Sequence, residues 1–373
     1  MKKVVQFIHG LSMGGAETLV KDYCLFLDKE KIDLTLVCLK RLNSPYEKLL
    51  EKNHVKIIYI SDFFYKHQIL KNNTISKIQK NFFRYYYTAR VLRQLKPDIL
   101  HSHLPVNLYI WVAHLPRTTK LFHTVHSEPY RYWGVGTNIS YKIDKWALHK
   151  LIKKYDLTFI ALHERMRLEI NQMFDVKNTI VLNNGIDFSK YEKRKPKKIV
   201  RTELGISEDA FVVGHVGRFI AIKNHDFLLD VFKEIAKKNQ SSVLLLIGAG
   251  ETKKHILERV KQEHIPNKII FLENRTDIPD LMGAMDVFVF PSKLEGLPVT
   301  LVEAQKSGLP CVISDTITKQ VTISNLVKRI SLSQSAEVWA DEAISSIRIK
   351  PQYFNMLNWD ICETVHCLER LYL

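Results

Sequence analysis

Val287-Phe288-Val289-Phe290-Pro291-Ser292-Lys293-Leu294-Glu295-Gly296-Leu297-Pro298-Val299-Thr300-Leu301-Val302-Glu303-Ala304 is the stretch on which the reading of this chain turns. Four apolar residues stop at a proline, a short loop carries Glu295 and Gly296, and a helix is expected from about Pro298. Strand, turn and helix N-terminus, in that order, present backbone N–H groups to an anionic ligand in α/β proteins. Two carboxylates stand eight positions apart, Glu295 in the loop and Glu303 a turn or two into the helix. They read either as two arms of one ligand site or as a surface glutamate and a helix-face glutamate that share nothing. The flanking sequence decides between these.

Around this stretch the same alternation repeats. Phe211–Val216 reads as a strand ending in Gly217-Arg218, Phe227–Lys237 as a helix, and Ser242–Ile247 as a strand ending in Gly248-Ala249-Gly250. Lys268–Leu272 and Pro310–Ile313 are further strands. In the first half, Val4–Ile8 is followed by a glycine turn and an amphipathic helix from about Ala16 to Leu27. Strands then recur at Leu34–Leu39, Lys56–Ile60, Asp98–His101, Leu121–Val125, Leu157–Ala161 and Thr179–Leu182. Strands separated by helices imply parallel, doubly wound sheets, with ligands at the C-terminal ends of the strands. With 373 residues, 46% of them hydrophobic, the chain has room for two such cores.

The expected architecture is therefore α/β, two tandem Rossmann-like domains with a cleft between them. Residues 1–182 form the first, 183–355 the second, and 356–373 a closing segment, helical from Trp359 to Tyr372. That helix carries Ile361, Val365, Leu368 and either Leu371 or Tyr372 along one face. The linker Asn183–Arg201 includes the basic run Lys193-Arg194-Lys195-Pro196-Lys197-Lys198, which lacks interleaved aromatics and reads as a solvated loop.

Bulk properties exclude several classes. No apolar run approaches the ~18 residues of a membrane-spanning helix. The N-terminal apolar run is too short for a signal peptide and reads as the first strand. Five cysteines without a CxxC pair suit a reducing cytoplasm and neither a zinc site nor a disulfide framework. Charge is lopsided: residues 1–182 carry 29 Lys+Arg against 15 Asp+Glu, net +14, and residues 183–373 carry 26 against 24, net +2, together the +16 of the whole chain. A basic first half calls for an anionic partner, nucleic acid or lipid headgroup, and charge alone does not separate them. The segment from Phe63 to Lys96 adds aromatics to cations, as membrane interfaces do. Its later part reads as an ordinary helix packing Tyr86, Val91 and Leu95 inward, while residues 63–83 stay open to a membrane role.

Candidate residues cluster at strand ends. Gly14-Gly15 follows the first strand and opens a helix, although it is not GxGxxG; a ligand turn and a plain tight turn read equally well. Arg218 leaves a strand end with Lys223 five residues on, two cations that suit a diphosphate, surface ion pairing being the alternative. His126 ends the strand Leu121–Val125 and stands out by placement among 15 histidines. No HExxH, DxD or GxSxG is present, so neither a divalent-metal ligand set nor a serine hydrolase is visible.

These pieces in this order resemble one family, the retaining GT-B glycosyltransferases of family GT4, especially the bacterial exopolysaccharide and capsule enzymes. The residues that carry the resemblance are Gly14-Gly15-Ala16-Glu17, Pro97-Asp98-Ile99-Leu100-His101-Ser102-His103, Thr124-Val125-His126, Asn184-Gly185-Ile186-Asp187, Val216-Gly217-Arg218 with Lys223-Asn224, Gly248-Ala249-Gly250 and, most specifically, the E-x7-E element of Glu295 and Glu303. The resemblance implies that Arg218 and Lys223 hold the donor diphosphate and that Gly15 and the backbone around Gly296-Leu297 approach the phosphates and sugar. It implies Glu303 on the nucleotide ribose, Glu295 on the transferred sugar and His126 on a sugar hydroxyl near the reacting carbon. Gly14, Asn184, Gly217, Gly250 and Arg275 join the substrate-binding set on the same ground. Where the family often has glycine after Ile269–Leu272, this chain has Glu273-Asn274-Arg275, a turn that borders the base; uracil is the default. Thr316 to Ser335 carries no assignable site. The C-terminal helix fits the family's crossover back to the first domain.

The activity so implied is a metal-independent hexosyltransferase with no cofactor beyond its nucleotide-sugar donor, a UDP-sugar being the expectation. Its acceptor would be a hydroxyl of a lipid-linked oligosaccharide or other glycan in surface-polysaccharide assembly. Location would be cytoplasmic, peripheral on the inner face of the membrane through an anionic lipid surface. A sugar-nucleotide epimerase of the same architecture is the first alternative. A nucleic-acid-binding protein is the second, and no nucleic-acid module is visible.

Overall fold

The computed structural model describes residues 1–65, 74–134, 136–263, 265, 268–347, 349–354 and 356–373. They form two compact units, Met1–Gly185 with Ile361–Leu373, and Ile186–Asp360. The divisions fall after Gly185 and before Ile361, where the sequence reading set them at 182 and 356. Packing explains the shift. A Cβ on Gly185 would lie 2.6 Å from the Cα of Ile361, and the Thr364 hydroxyl donates to the Asn183 carbonyl at 3.4 Å, so 183–185 is fastened to the closing helix.

The first unit is a seven-stranded parallel sheet: β1 (Lys2–Ile8), β2 (Ile32–Cys38), β3 (Lys56–Tyr59), β4 (Ile99–His103), β5 (Lys120–Thr124), β6 (Leu157–Ala161) and β7 (Ile180–Val181), ordered β3-β2-β1-β4-β5-β6-β7. β4 runs two residues past the expected His101, because His-Ser-His reads as a polar turn yet pairs with β5, His103 opposite Thr124. The closing helix Ile361–Tyr372 starts after a short turn over Leu357–Trp359. It buries Ile361, Val365, Leu368 and Tyr372 against Val4, Tyr23, Ile99 and Phe122 of the sheet and the helix Gly15–Phe26. Of the two candidate residues at its end, Tyr372 is the one buried.

The second unit is a six-stranded parallel sheet: β8 (Phe211–Val216), β9 (Ser242–Ile247), β10 (Lys268–Leu272), β11 (Val287–Phe290), β12 (Cys311–Ser314) and β13 (Val327–Ile330), ordered β10-β9-β8-β11-β12-β13. β13 was not expected; with Lys328 and Arg329 on an edge strand it lacks the apolar run by which the others were found. The core is buried Val213, Leu244, Val287, Val289 and Val312 under Leu228, Phe232 and Trp339.

Strand order reverses between β1 and β4 in one sheet and between β8 and β11 in the other. The crevice outside the strand C-termini at such a reversal is where open α/β sheets bind ligands. Gly14-Gly15 follows β1, His126 follows β5 next to β4, Gly217-Arg218 follows β8, and Pro291 to Glu295 follows β11. Fold alone thus brings most of the candidate residues to two strand-end rims, one in each unit.

Two expectations are corrected. Tyr86 points outward, 51% exposed, while the helix Thr74–Leu95 turns Thr88, Ala89, Val91 and Leu92 inward, leaving Leu95 half-buried. Residues 66–73 of the segment left open at 63–83 lie outside the described residues. The basic run 193–198 is exposed throughout, as expected, but it is loop only as far as Pro196, and most of its cations are engaged. Lys197 opens the helix Lys197–Glu203, and Lys195, Lys197 and Lys198 pair with Glu203, Asp286 and Glu208 while Arg194 donates to the Ser307 carbonyl.

Candidate active site

In the second unit the loops after β8 and β11 are tied together by backbone. Lys293 N–H donates to the Ile222 carbonyl at 2.8 Å, and the Asn224 amide to the Pro291 carbonyl at 3.2 Å. Asn224 adopts the left-handed conformation, φ 58°, which suits asparagine and lets a short turn over Ala221–Lys223 pass directly into the helix His225–Lys238. These ties set Lys223 beside Glu295, Nζ to Oε1 2.7 Å, with the side chains 14% and 13% exposed. Glu295 Oε1 is buried, and among the described residues it meets no donor besides this ammonium. Glu295 itself precedes Pro298, the N-cap of the helix Val299–Lys306 that carries Glu303 half-buried in its second turn.

Lys223 therefore pairs with Glu295, where the sequence reading grouped it with Arg218. Arg218 is exposed, its guanidinium engaged by none of the described residues. Gly250 has a packing role as well: Phe219 N–H donates to the Ala249 carbonyl at 2.9 Å, and a Cβ on Gly250 would overlap the Phe219 carbonyl, whereas a Cβ on Gly217 would meet only the His215 ring, at 3.0 Å, and the Lys223 side chain. Arg275 is held by Asp277, which raises the guanidinium pKa. Gly296 is half-buried and Leu297 buried at the helix entrance.

Sequence reasoning missed His215, His225 and Ser292 on this rim. His215 Nδ1–H donates to the Val289 carbonyl at 2.9 Å, leaving Nε2 buried without a donor. His225 stacks on Phe219, rings 4.2 Å apart, and burial, reinforced by Lys223, lowers it to about 4. Ser292 is fully buried with its hydroxyl unbonded. The one available signal was a histidine inside an otherwise apolar strand, Phe211-Val212-Val213-Gly214-His215-Val216.

In the first unit Gly14 caps the helix Gly15–Phe26 without a side-chain bond. Gly15 has open space where a Cβ would stand, so nothing in the fold requires glycine there. Gly14 lies under the Glu17 carboxylate, which accepts from Ser12 Oγ at 2.5 Å. His126 Nε2 meets His103 Nδ1 at 2.9 Å, and its own Nδ1 is without a partner. Asn184, at the end of this unit, is buried with Oδ1 unpartnered. Among the described residues, no group of three or more His, Cys, Asp or Glu is placed to hold a metal ion.

Two parallel Rossmann-like units with acid, base and glycine turns on their strand-end rims define the GT-B class. The fold agrees across the whole chain with Anabaena HepE, solved in complex with UDP and glucose, at a TM-score of 0.70 and 17% identity, covering 100% of this chain and 95% of that one. The family model for glycosyltransferase family 4 matches residues 13–190 and that for glycosyl transferases group 1 matches residues 196–353. Relatives include the Bacillus subtilis (strain 168) putative glycosyltransferase EpsF, 28% identical over 100% of this chain and 96% of its own length. Another is the Escherichia coli UDP-Gal:alpha-D-GlcNAc-diphosphoundecaprenol alpha-1,3-galactosyltransferase, 27% identical over 78% of this chain and 73% of its own. The chain belongs to the family 4 glycosyltransferases of GT-B fold and is an enzyme of that kind.

Proposed function

We propose that the enzyme moves a sugar from a UDP-sugar, with retention of configuration, to a hydroxyl of a lipid-linked glycan in surface-polysaccharide assembly. The observation that carries this reading is the Lys223–Glu295 pair at the β8/β11 rim, a largely buried carboxylate whose Oε1 meets the lysine ammonium and no other donor among the described residues. A buried acceptor of that kind is what a sugar hydroxyl satisfies. The E. coli relative is named for a UDP-linked donor and a diphosphoundecaprenol-linked acceptor, and HepE was solved with UDP.

Arg218 and Lys223 take the diphosphate and supply the positive charge in place of a metal ion. Glu295 orients the sugar, Glu303 the ribose, and His126 a hydroxyl near the reacting carbon. Gly14 and Gly15 on the rim of the first unit, Asn184 at its end, and Gly217, Gly250, Gly296, Leu297 and Arg275 on the rim of the second make up the rest of the substrate-binding set. The acceptor oxygen attacks C1 on the face the diphosphate leaves. The C1–O bond to the diphosphate breaks, the new C1–O bond forms, and a leaving phosphate oxygen takes the acceptor's proton. No carboxylate nucleophile with a second acid is needed.

The membrane part of the reading rests on the helix Ile139–Lys154. Its outer face exposes Ile139 (68%), Ile143 (40%) and Trp146 (48%), beside Lys142, Lys150 and Lys153. Apolar anchors flanked by lysines match an anionic bilayer surface at the inner face of the cell membrane. Among the described residues, no helix is long and apolar enough to cross a membrane.

A thermal-shift screen against nucleotide sugars tests the donor: ligand at 100 times Kd stabilises by about 2.7 kcal/mol. The anomeric configuration of the product, read by NMR, tests retention. Epimerisation of the donor without any acceptor would overturn the transferase reading. Co-sedimentation with phosphatidylglycerol vesicles tests the membrane surface; no binding at low salt would remove it.

A further inference from the structure

A central strand of a parallel sheet, covered on both faces, is ordinarily a run of Val, Ile and Leu. β4 instead ends His101-Ser102-His103, with all three side chains buried. Buried polar groups persist when every one finds a partner. Ser102 is met by Asn107, His123 and the Phe122 carbonyl, and the partners of the two histidines form one unbroken chain. From His126 it runs through His103 (2.9 Å) to Gln6 Oε1 (2.7 Å); from Gln6 Nε2 to the Tyr372 hydroxyl (2.9 Å); from there to His101 Nδ1 (2.5 Å); and from His101 Nε2 to Thr124 (2.7 Å). All of these residues belong to the first unit.

Burial, with the neighbouring histidines, pushes His101 and His103 well below the ordinary imidazole range and His126 to about 3. Each ring is thus neutral, with one N–H and one bare nitrogen. Given that, the direction of every bond follows from a single amide. Gln6 Oε1 can only accept, so His103 carries its proton on Nε2. His103 Nδ1 is then bare and must accept, so His126 donates from Nε2. What remains is His126 Nδ1, unprotonated and without a partner. In the other direction Gln6 Nε2 donates to Tyr372, which donates to His101 Nδ1.

Turning the Gln6 amide over would reverse every one of these bonds and put the proton of His126 on Nδ1. The contact at Tyr372 argues against that. At 2.5 Å the contact is below the usual range for an N–H donor, and a phenol is a stronger acid than a neutral imidazole N–H while a bare imidazole nitrogen is the better acceptor, so the phenol gives its proton to His101. A phenol that gives its proton there has only lone pairs left for Gln6, which must present its NH2.

We propose that Gln6 and Tyr372 are positioning residues that hold His126 as its Nε2–H tautomer, so that Nδ1 accepts a hydrogen bond from a hydroxyl of the transferred sugar. The sugar rests on the proposed transferase reading; the tautomer does not. The closing helix thereby acts on the candidate site as well as on the core: its last residue, Tyr372, sets which nitrogen of His126 is bare, although it touches neither that ring nor a substrate.

The test is a long-range 1H–15N correlation on the full chain labelled with 15N-histidine. His126 is assigned by the signals lost in His126→Asn. The expected spectrum has a protonated Nε2 and a bare Nδ1 in the ligand-free enzyme. A protonated Nδ1, or a doubly protonated ring, overturns the proposal. Tyr372→Phe and, separately, Gln6→Met remove the bias, so both tautomers should appear and kcat/KM fall on the order of tenfold, chiefly through the donor KM. A folded Tyr372→Phe protein that keeps a single Nε2–H tautomer also overturns it, and should that variant not fold, the wild-type and Gln6→Met spectra decide. Saturating UDP-glucose should shift the Nδ1 signal of the wild type. A thermal shift without a change at Nδ1 refutes the hydroxyl contact alone; no thermal shift with any nucleotide sugar refutes the donor reading instead.

Discussion

Replacing Glu295 by Gln tests the candidate site at its most constrained contact. The substitution keeps the shape and removes one charge from a pair 2.7 Å apart, both side chains nearly buried. At an effective dielectric near 20 the attraction at that distance is about 6 kcal/mol, most of it offset by the water both groups give up. The net loss on removing one partner, with some solvent remaining, is about 2 kcal/mol, or roughly 4–8 °C in the melting temperature of a unit this size. A charge-assisted hydrogen bond from Glu295 to a sugar hydroxyl contributes about 1.5–3 kcal/mol, so kcat/KM should fall about 10- to 100-fold. The two effects separate in the double variant Lys223→Met with Glu295→Gln. Removing both charges should restore most of the stability, since an apolar replacement of an ion pair is often neutral, while transfer stays impaired. Stability is read by urea unfolding and transfer by release of UDP from a UDP-sugar. Glu295→Gln losing stability while transferring within twofold of wild type would show the carboxylate to be structural and refute its role on the sugar.

Arg218→Ala should lower kcat on the order of 10²–10³ while leaving the melting temperature unchanged, because the guanidinium is exposed and unengaged. Leu368→Ala, in the closing helix, should destabilise the first unit by about 2–5 kcal/mol in denaturant unfolding. Asp144, buried under the Asn107 N–H groups and Trp133, is raised from 3.8 to about 6 by burial. The folded state then holds a proton that the unfolded state has released. Its contribution to stability is full below about pH 4, declines as pH rises to about 6 and is gone above, on the order of 3 kcal/mol in all. The difference in unfolding free energy between wild type and Asp144→Asn, measured from pH 4 to 7, should slope downward over that interval and then flatten.

The sheets were legible because their strands are apolar runs bounded by Gly, Pro and charge, and the E-x7-E stretch because its chemistry sits at that punctuation. Contacts between distant loops were not. Lys223 and Glu295 are 72 positions apart, and they meet because Lys293 and Asn224 stitch two strand-end loops together. The tyrosine at the chain's end was read only as a possible apolar contact; its hydroxyl matters through Gln6 and His101, residues 366 and 271 positions away.

The most informative error was the premature end of β4 at His101. Polar residues were taken as the end of a buried strand, when they were the part of it facing a network. The same departure occurs in the second sheet, where His215 sits fully buried in β8 and bonds across to Val289 of β11. β4 borders the reversal of strand order in its sheet and β8 borders the reversal in the other. A buried strand tolerates a histidine only where a neighbour satisfies it, and helices on both faces leave few such neighbours. At a reversal the connections leave in opposite directions, opening a crevice in which side chains from different loops and strands converge. Histidines within apolar strands therefore point to both strand-end rims from sequence, independently of any motif: His101 and His103 in β4 and His215 in β8 border the reversals, and the one further case, His123 in β5, is bonded to Ser102 of β4.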